Sequence, residues 1–203
     1  MAGLHPEAAA DEALDIAQVV LAHLDRTDPL VPWATSLADG AVEAELAGHL
    51  TGSIDLVLRH RRPDGPDRFV VVDYKTNRLA DGYGQPSLVA AMAHHHYPLQ
   101  ALLYCVALHR YLRWRLVGYR PEVHLGGAGY LFLRGMTGPD VASPGGRPDG
   151  VFHWATPAGL VTALSDLLDG ARSLDDASAA PPVPDCPPVA RTAPQQLSLG
   201  LGS

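Results

Sequence analysis

The sequence predicts an α/β domain around a small mixed β-sheet. FVVV, residues 69–72, is a short apolar run rich in β-branched residues and suits a buried strand. GGAGYLFLRG, residues 126–135, reads as a second buried strand. A long helical stretch, roughly 87–116, separates them, and further helical segments lie near both ends. The order α-β-β-β-α-β-α is that of helices packed on a mixed sheet.

Each element has its own signal. Over residues 7–24, Leu14, Val19, Val20, Leu21 and Leu24 make an apolar stripe among Glu12, Asp15 and Gln18, which predicts a helix. DRTDPLVP, residues 25–32, breaks it. Residues 41–60 read as strand with a break at Gly48 or Gly52, and RRPDGPDR, 61–68, as a turn. The strand of residues 69–75 follows, then the loop LADGYGQP. Pro98 marks a kink in the long helical stretch or a break into two helices. TGPDVASPGGRPDG, after the second buried strand, reads as a long loop. Residues 157–170 predict a last helix, with Thr156 as N-cap and Pro157 in the first helical position. From about 175, Pro, Ala and Ser dominate, which predicts a disordered tail. The chain thus divides into an N-terminal helical segment, 1–40, a main domain, 41–174, and the tail, 175–203.

Composition narrows the function. With 203 residues, 47% hydrophobic and 18% charged, the chain suits one globular domain. No apolar run approaches the ~20 residues that span a bilayer. The N-terminus is acidic and lacks a signal-peptide pattern, and Cys105 and Cys186 suggest neither a disulfide framework nor a zinc site. A cytoplasmic protein with no membrane partner is expected. A net charge of -7 argues against a sequence-independent DNA coat protein, but not against an enzyme that meets DNA at one local site.

The chemistry is concentrated where FVVV runs into Asp73-Tyr74-Lys75. Of 15 Lys and Arg residues, Lys75 is the single lysine. Where the chain otherwise uses arginine, this position calls for a compact ammonium. GSIDLVLRH and FVVVDYK flank the turn RRPDGPDR as a hairpin, and the midpoint of positions 55 and 73 is Asp64, within that turn. Asp55 and Asp73 then stand opposite each other, with Cβ atoms ~5 Å apart. Lys75, two residues on, points to the same face. Like charges set opposite are destabilising unless a cation lies between them. Two carboxylates with a main-chain carbonyl and waters suit Mg²⁺. Lys75 then orients or activates water and stabilises developing charge. The plainer alternative is a surface ion pair of Lys75 with Asp73 or Asp55. Gln100 and Tyr104 stand at i and i+4 on one helix face, either serving the site or forming a buried pair.

GSIDLVLRH, VVDYKTN, HYPLQALLYCVALHRYLRWRL and HLGGAGYLFLRGM, in that order, resemble the C-terminal nuclease domain of the RecB subunit of exonuclease V, the RecBCD helicase–nuclease. The similarity runs from about 46 to 136, with a weaker continuation to about 170. It implies the PD-(D/E)XK superfamily and a restriction-endonuclease-like core. It implies that Asp55, Asp73 and the Tyr74 carbonyl hold the metal and that Lys75 is the catalytic lysine. Gln100 and Tyr104 match the family's QxxxY helix motif, expected to support the site and the DNA backbone. It further implies DNA ends as substrate and RecC and RecD subunits as partners. The family's upstream helix, whose histidine completes the metal site, does not align here; His5, in GLHPE, is the candidate. The chain also lacks G-x-x-x-x-G-K-[ST], so no ATP-driven motor is expected in it. A separate short gene and a piece of a longer reading frame are both open. Two other readings stand beside the nuclease: a docking module of nuclease fold without activity, and an AddAB-type nuclease. LFLRGM and ALHRYL favour the RecB type.

Several features have plainer readings. His94-His95-His96 point in different directions on a helix and suit a solvated helix end, although His96 shares a face with Gln100. Arg110, Arg113 and Arg115, with Tyr111 and Trp114 between them, suit either phosphate binding or the polar face of a packed helix. Arg59, Arg61 and Arg62 are candidates for DNA contact, and Cys105 for a core thiol. In the tail, Gln196, Leu197 and Leu199 resemble the short Gln-Leu-x-Leu peptides that dock on the bacterial sliding clamp. A chance match in a low-complexity tail is the alternative.

Overall fold

The computed structural model describes residues 6–39, 53–136 and 147–172. His5, the proposed strand over 41–52, the tail from 175 and its Gln196, Leu197 and Leu199 lie outside them. The described elements run α1 (Pro6–His23), α2 (Val31–Ala38), β1 (Leu56–His60), β2 (Arg68–Lys75), α3 (Gln85–His94), α4 (Tyr97–Arg115), α5 (Pro121–His124), β3 (Leu125–Phe132), β4 (Val151–Trp154) and α6 (Ala158–Arg172). The four strands form one sheet in the order β1-β2-β3-β4. Its pairings are antiparallel, parallel and antiparallel, so the sheet is mixed, as expected.

Three elements are absent from the sequence reading: α2, the four-residue α5 and β4. The stretch that reads as a breaker, 25–32, runs directly into α2, because Pro32 falls in the first helical turn, where its missing N–H has no partner to lose. Trp33, Ala34 and Leu37 bury the inner face of this helix. The strand β4 has only four residues and follows the stretch that reads as loop, 137–150, in a segment given no element by the sequence reading; it exists through its pairing with β3. Pro98 does divide the long helical stretch: α3 stops at His94 and α4 restarts at Tyr97 with Pro98 in its first turn. The Thr156 hydroxyl does not serve as the expected N-cap. It turns to the Trp154 carbonyl and the Cys105 sulfur instead.

One core joins all layers. Ile16 and Val20 of α1, Trp33 of α2, Leu102 of α4, Tyr130 of β3, Phe152 of β4 and Leu164 of α6 belong to the same buried cluster. The N-terminal helices therefore share the sheet's core. Tyr130, Phe132 and Phe152 are among the largest fully buried side chains, each worth roughly 2–3 kcal/mol of apolar burial. Cys105 is a core thiol, as expected, and burial pushes its pKa up to about 11, which leaves it protonated and unreactive.

The pair Gly126-Gly127 sets the register that matters. Phe69 pairs with Leu125, but Val71 pairs with Ala128, so β3 carries one extra residue. Gly127 takes φ 82°, open to glycine and strained for other residues. Beyond this bulge Asp73 pairs with Tyr130. Without the extra residue, Tyr130 would point to the opposite face of the sheet.

His109, on α4, is buried, and its Nδ1 lies 2.9 Å from the Tyr119 hydroxyl. Burial lowers the His109 pKa, and Arg113 pushes the same way. The unfolded chain then takes up a proton near pH 6.5 that the folded chain refuses until lower pH. Stability from neutral His109 is present above about pH 6.5 and is lost as pH falls through the folded value. Melting followed from pH 7.5 to 5 should show this loss, and His109→Gln should flatten that part of the curve.

Candidate active site

The hairpin brings the first carboxylate to the second. Leu56 pairs with Val72 and Val57 with Val71. Asp55, one residue before β1, therefore falls in register with Asp73, as the midpoint at Asp64 predicts. Asp55 is exposed, and its Oδ2 accepts the Tyr74 amide at 3.1 Å, which fixes it against the end of β2. Asp73 is buried, at 5% exposure. Its Oδ2 lies 2.8 Å from Lys75 Nζ, but not along a hydrogen-bonding direction. Among the described residues it is the buried side-chain oxygen left without a hydrogen bond. Tyr74 stands between them with its side chain exposed on the other face.

Lys75 is held from three sides. Nζ donates to Gln100 Oε1 at 3.0 Å, faces Asp73 at 2.8 Å, and lies 3.8 Å above the centre of the Tyr97 ring. Gln100 Oε1 also accepts from the Tyr130 hydroxyl at 3.2 Å, while Gln100 Nε2 donates to the Tyr104 hydroxyl at 3.1 Å. The amide orientation follows: its oxygen faces the cation and its nitrogen faces away. Burial raises the pKa of Tyr104; the Gln100 hydrogen bond opposes this, and the charges of Asp73 and Asp55 add to the rise. Burial, reinforced by Asp73, likewise keeps Tyr130 protonated. The structure thus brings Asp55, Asp73, Lys75, Gln100 and Tyr104 into one site.

Other candidates go elsewhere. His96 precedes α4 in a left-handed conformation, so it does not share a helix face with Gln100; its Nδ1 faces the Trp33 indole N–H at 3.3 Å. Arg110 donates to Ser165 and pairs with Asp169 at 2.7 Å, tying α4 to α6. Arg59 is paired with Asp67 across the hairpin. Sequence reading missed Tyr97 and Tyr130. Tyr97 could have been found, since it stands three residues before Gln100 on the same helix face.

The residues present fit a divalent cation. A buried carboxylate oxygen without a hydrogen bond faces the strand end where a second carboxylate is fixed, and one ammonium offsets only one of the two charges. Among the described residues no cluster of three His, Cys, Asp or Glu forms. A pair of carboxylates suits a hard cation that keeps several waters.

Over residues 5–187 the chain matches the PD-(D/E)XK nuclease superfamily. The chain belongs to that superfamily. Curated relatives refine the placement. The protein is 51% identical over 162 residues to the RecBCD enzyme subunit RecB of Mycobacterium tuberculosis H37Rv, covering 78% of this chain and 14% of that protein. It is 49% identical over 164 residues to RecB of Mycolicibacterium smegmatis, covering 76% of this chain and 15% of that protein. It is 37% identical over 163 residues to RecB of Escherichia coli K12, covering 77% and 13%. The PD-(D/E)XK domain here is thus a nuclease domain of RecB type, and it spans about one-seventh of the length of those relatives. PD-(D/E)XK nucleases use divalent metal ions. The observed mixed sheet with its flanking helices is the α/β core that the superfamily implies.

Proposed function

We propose that this chain hydrolyses DNA phosphodiester bonds with Mg²⁺ as cofactor, as the nuclease part of a RecBCD-type helicase–nuclease acting in double-strand-break repair. The observation that carries this reading is the unsatisfied Asp73 Oδ2, in register with Asp55 and 2.8 Å from the only lysine of the chain. Asp55, Asp73 and the Tyr74 carbonyl hold the metal, which when bound supplies Lewis-acid polarisation of the scissile phosphate and acidifies water. Lys75 orients the attacking water and stabilises the charge that develops on the phosphoryl oxygens. Gln100 fixes Lys75 through its amide oxygen, and Tyr104 fixes Gln100. The substrate is DNA ends, and RecC- and RecD-type subunits are the partners, in keeping with the RecBCD subunit relatives.

The test is cleavage of linear single- and double-stranded DNA by the purified chain, with Mg²⁺ or with EDTA, and without ATP. Slow, ATP-independent cleavage is expected, lost in EDTA and lost in Asp73→Ala. Cleavage that survives Asp73→Ala, or a wild-type protein that cuts neither substrate, overturns the reading.

A further inference from the structure

Gln100 and Asp73 contact Lys75 at its tip, yet the closest group on its third side is not polar. The ammonium lies 3.8 Å from the centre of the Tyr97 ring and 5.3 Å from that of Tyr130. The two rings are stacked on each other, 5.7 Å apart with planes 20° apart. At such distances the ring face attracts a cation, most strongly where water is excluded. The Lys75 side chain is only 12% exposed.

The Tyr97 ring is itself fixed on several sides. Its hydroxyl donates to Asn77 Oδ1 at 3.2 Å, and the His95 ring stacks on it at 5.2 Å. Asn77 Nδ2 and His95 Nε2 are 3.3 Å apart, so these two holders also hold each other. The Tyr130 hydroxyl binds the Tyr97 carbonyl at 3.1 Å. The backbone that delivers Tyr97 is unusual. His96 has φ 52°, a left-handed conformation that non-glycine residues seldom adopt. Such strain persists where surrounding structure enforces it. Here it makes the sharp turn between α3 and α4 that sets Tyr97 beside Lys75.

We propose that Tyr97 is a positioning residue for Lys75, and that its ring face, not its hydroxyl, holds the ammonium beside Asp73. In its absence the flexible four-carbon stem of lysine loses the wall that stops it swinging away from Gln100 and Asp73. This inference rests on the catalytic reading of Lys75, and the test separates the two.

Because Lys75 is the single lysine, ¹³Cε-lysine labelling of the full chain gives one side-chain NMR signal. In the wild type that signal should lie upfield of free lysine through the Tyr97 ring current. Its ¹³Cε order parameter should stay high in Tyr97→Phe and fall toward that of a freely moving side chain in Tyr97→Leu, a loss of order that removing the ring current does not itself produce. In the cleavage assay Tyr97→Leu should lose about 10-fold or more in kcat, the size of one desolvated cation–π contact. KM should stay within about twofold, since the ring acts on the catalytic step rather than on substrate binding. Tyr97→Phe should restore most of kcat. Melting curves establish that each variant is folded, and Tyr97→Met replaces Tyr97→Leu if the latter is not. A lysine order parameter that Tyr97→Leu leaves as high as in the wild type, or a Tyr97→Phe protein as impaired as Tyr97→Leu, overturns the proposal. A wild type that does not cleave DNA overturns the nuclease reading while the NMR result still decides whether Tyr97 holds Lys75.

Discussion

Lys75→Arg is expected to cleave linear DNA about 100–1,000-fold more slowly than the wild type in Mg²⁺, the cost of losing one preorganised charge-stabilising donor. Lys75→Ala should fall to a similar level, so restoring the positive charge should not rescue the enzyme. The reason is geometric. The ammonium fits between Asp73 Oδ2 at 2.8 Å, Gln100 Oε1 at 3.0 Å and the Tyr97 ring at 3.8 Å. A guanidinium is wider, planar and forked, and it cannot meet all three from the same place. Initial rates on single-stranded DNA decide the matter, with melting curves to show that both variants fold. A Lys75→Arg protein with near wild-type rates would mean that position 75 supplies only charge.

Gly127→Ala should destabilise the fold sharply, although it adds a single methyl group. A Cβ at this position would lie 2.1 Å from the Trp154 carbonyl oxygen and 2.9 Å from the Thr156 amide nitrogen. Both are backbone atoms, which cannot turn aside as a side chain can. The φ of 82° adds the strain of a conformation that alanine avoids. A cost of about 3 kcal/mol or more is expected, which lowers Tm by roughly 10 °C for a chain of this size. The effect reaches the site, because the bulge at Gly127 is what brings Tyr130 opposite Asp73. Thermal unfolding by circular dichroism measures it, and a Tm within about 2 °C of the wild type would contradict this view of the bulge.

The local half of the site was legible in the sequence, and the non-local half was not. Asp55 and Asp73 belong to one antiparallel hairpin, whose register follows from the position of its turn. The observed pairing of Leu56 with Val72 is the one that midpoint gives. Lys75 follows by the two-residue period of a strand, and Gln100 and Tyr104 by helix spacing. Tyr130 reaches the site through a parallel pairing that crosses three intervening helices, and its face depends on a one-residue bulge that no periodicity reveals. Tyr97 did carry a signal, its place three residues before Gln100, but a plainer reading competed with it. An aromatic residue at a helix start reads as core until the lysine beneath it is placed. The helix α2 and the strand β4 escaped because they are short and defined by tertiary contacts rather than by their own pattern.

Asp55 and Asp73, facing each other across the hairpin register, should act on one cation. The rate of DNA cleavage against Mg²⁺ concentration, for the wild type and for Asp55→Asn, tests this directly. Removing one of two shared carboxylates should raise the half-saturating Mg²⁺ concentration by about 10-fold or more and lower the maximal rate as well. An Asp55→Asn protein with the metal dependence and maximal rate of the wild type would contradict the pairing of these two carboxylates on one metal.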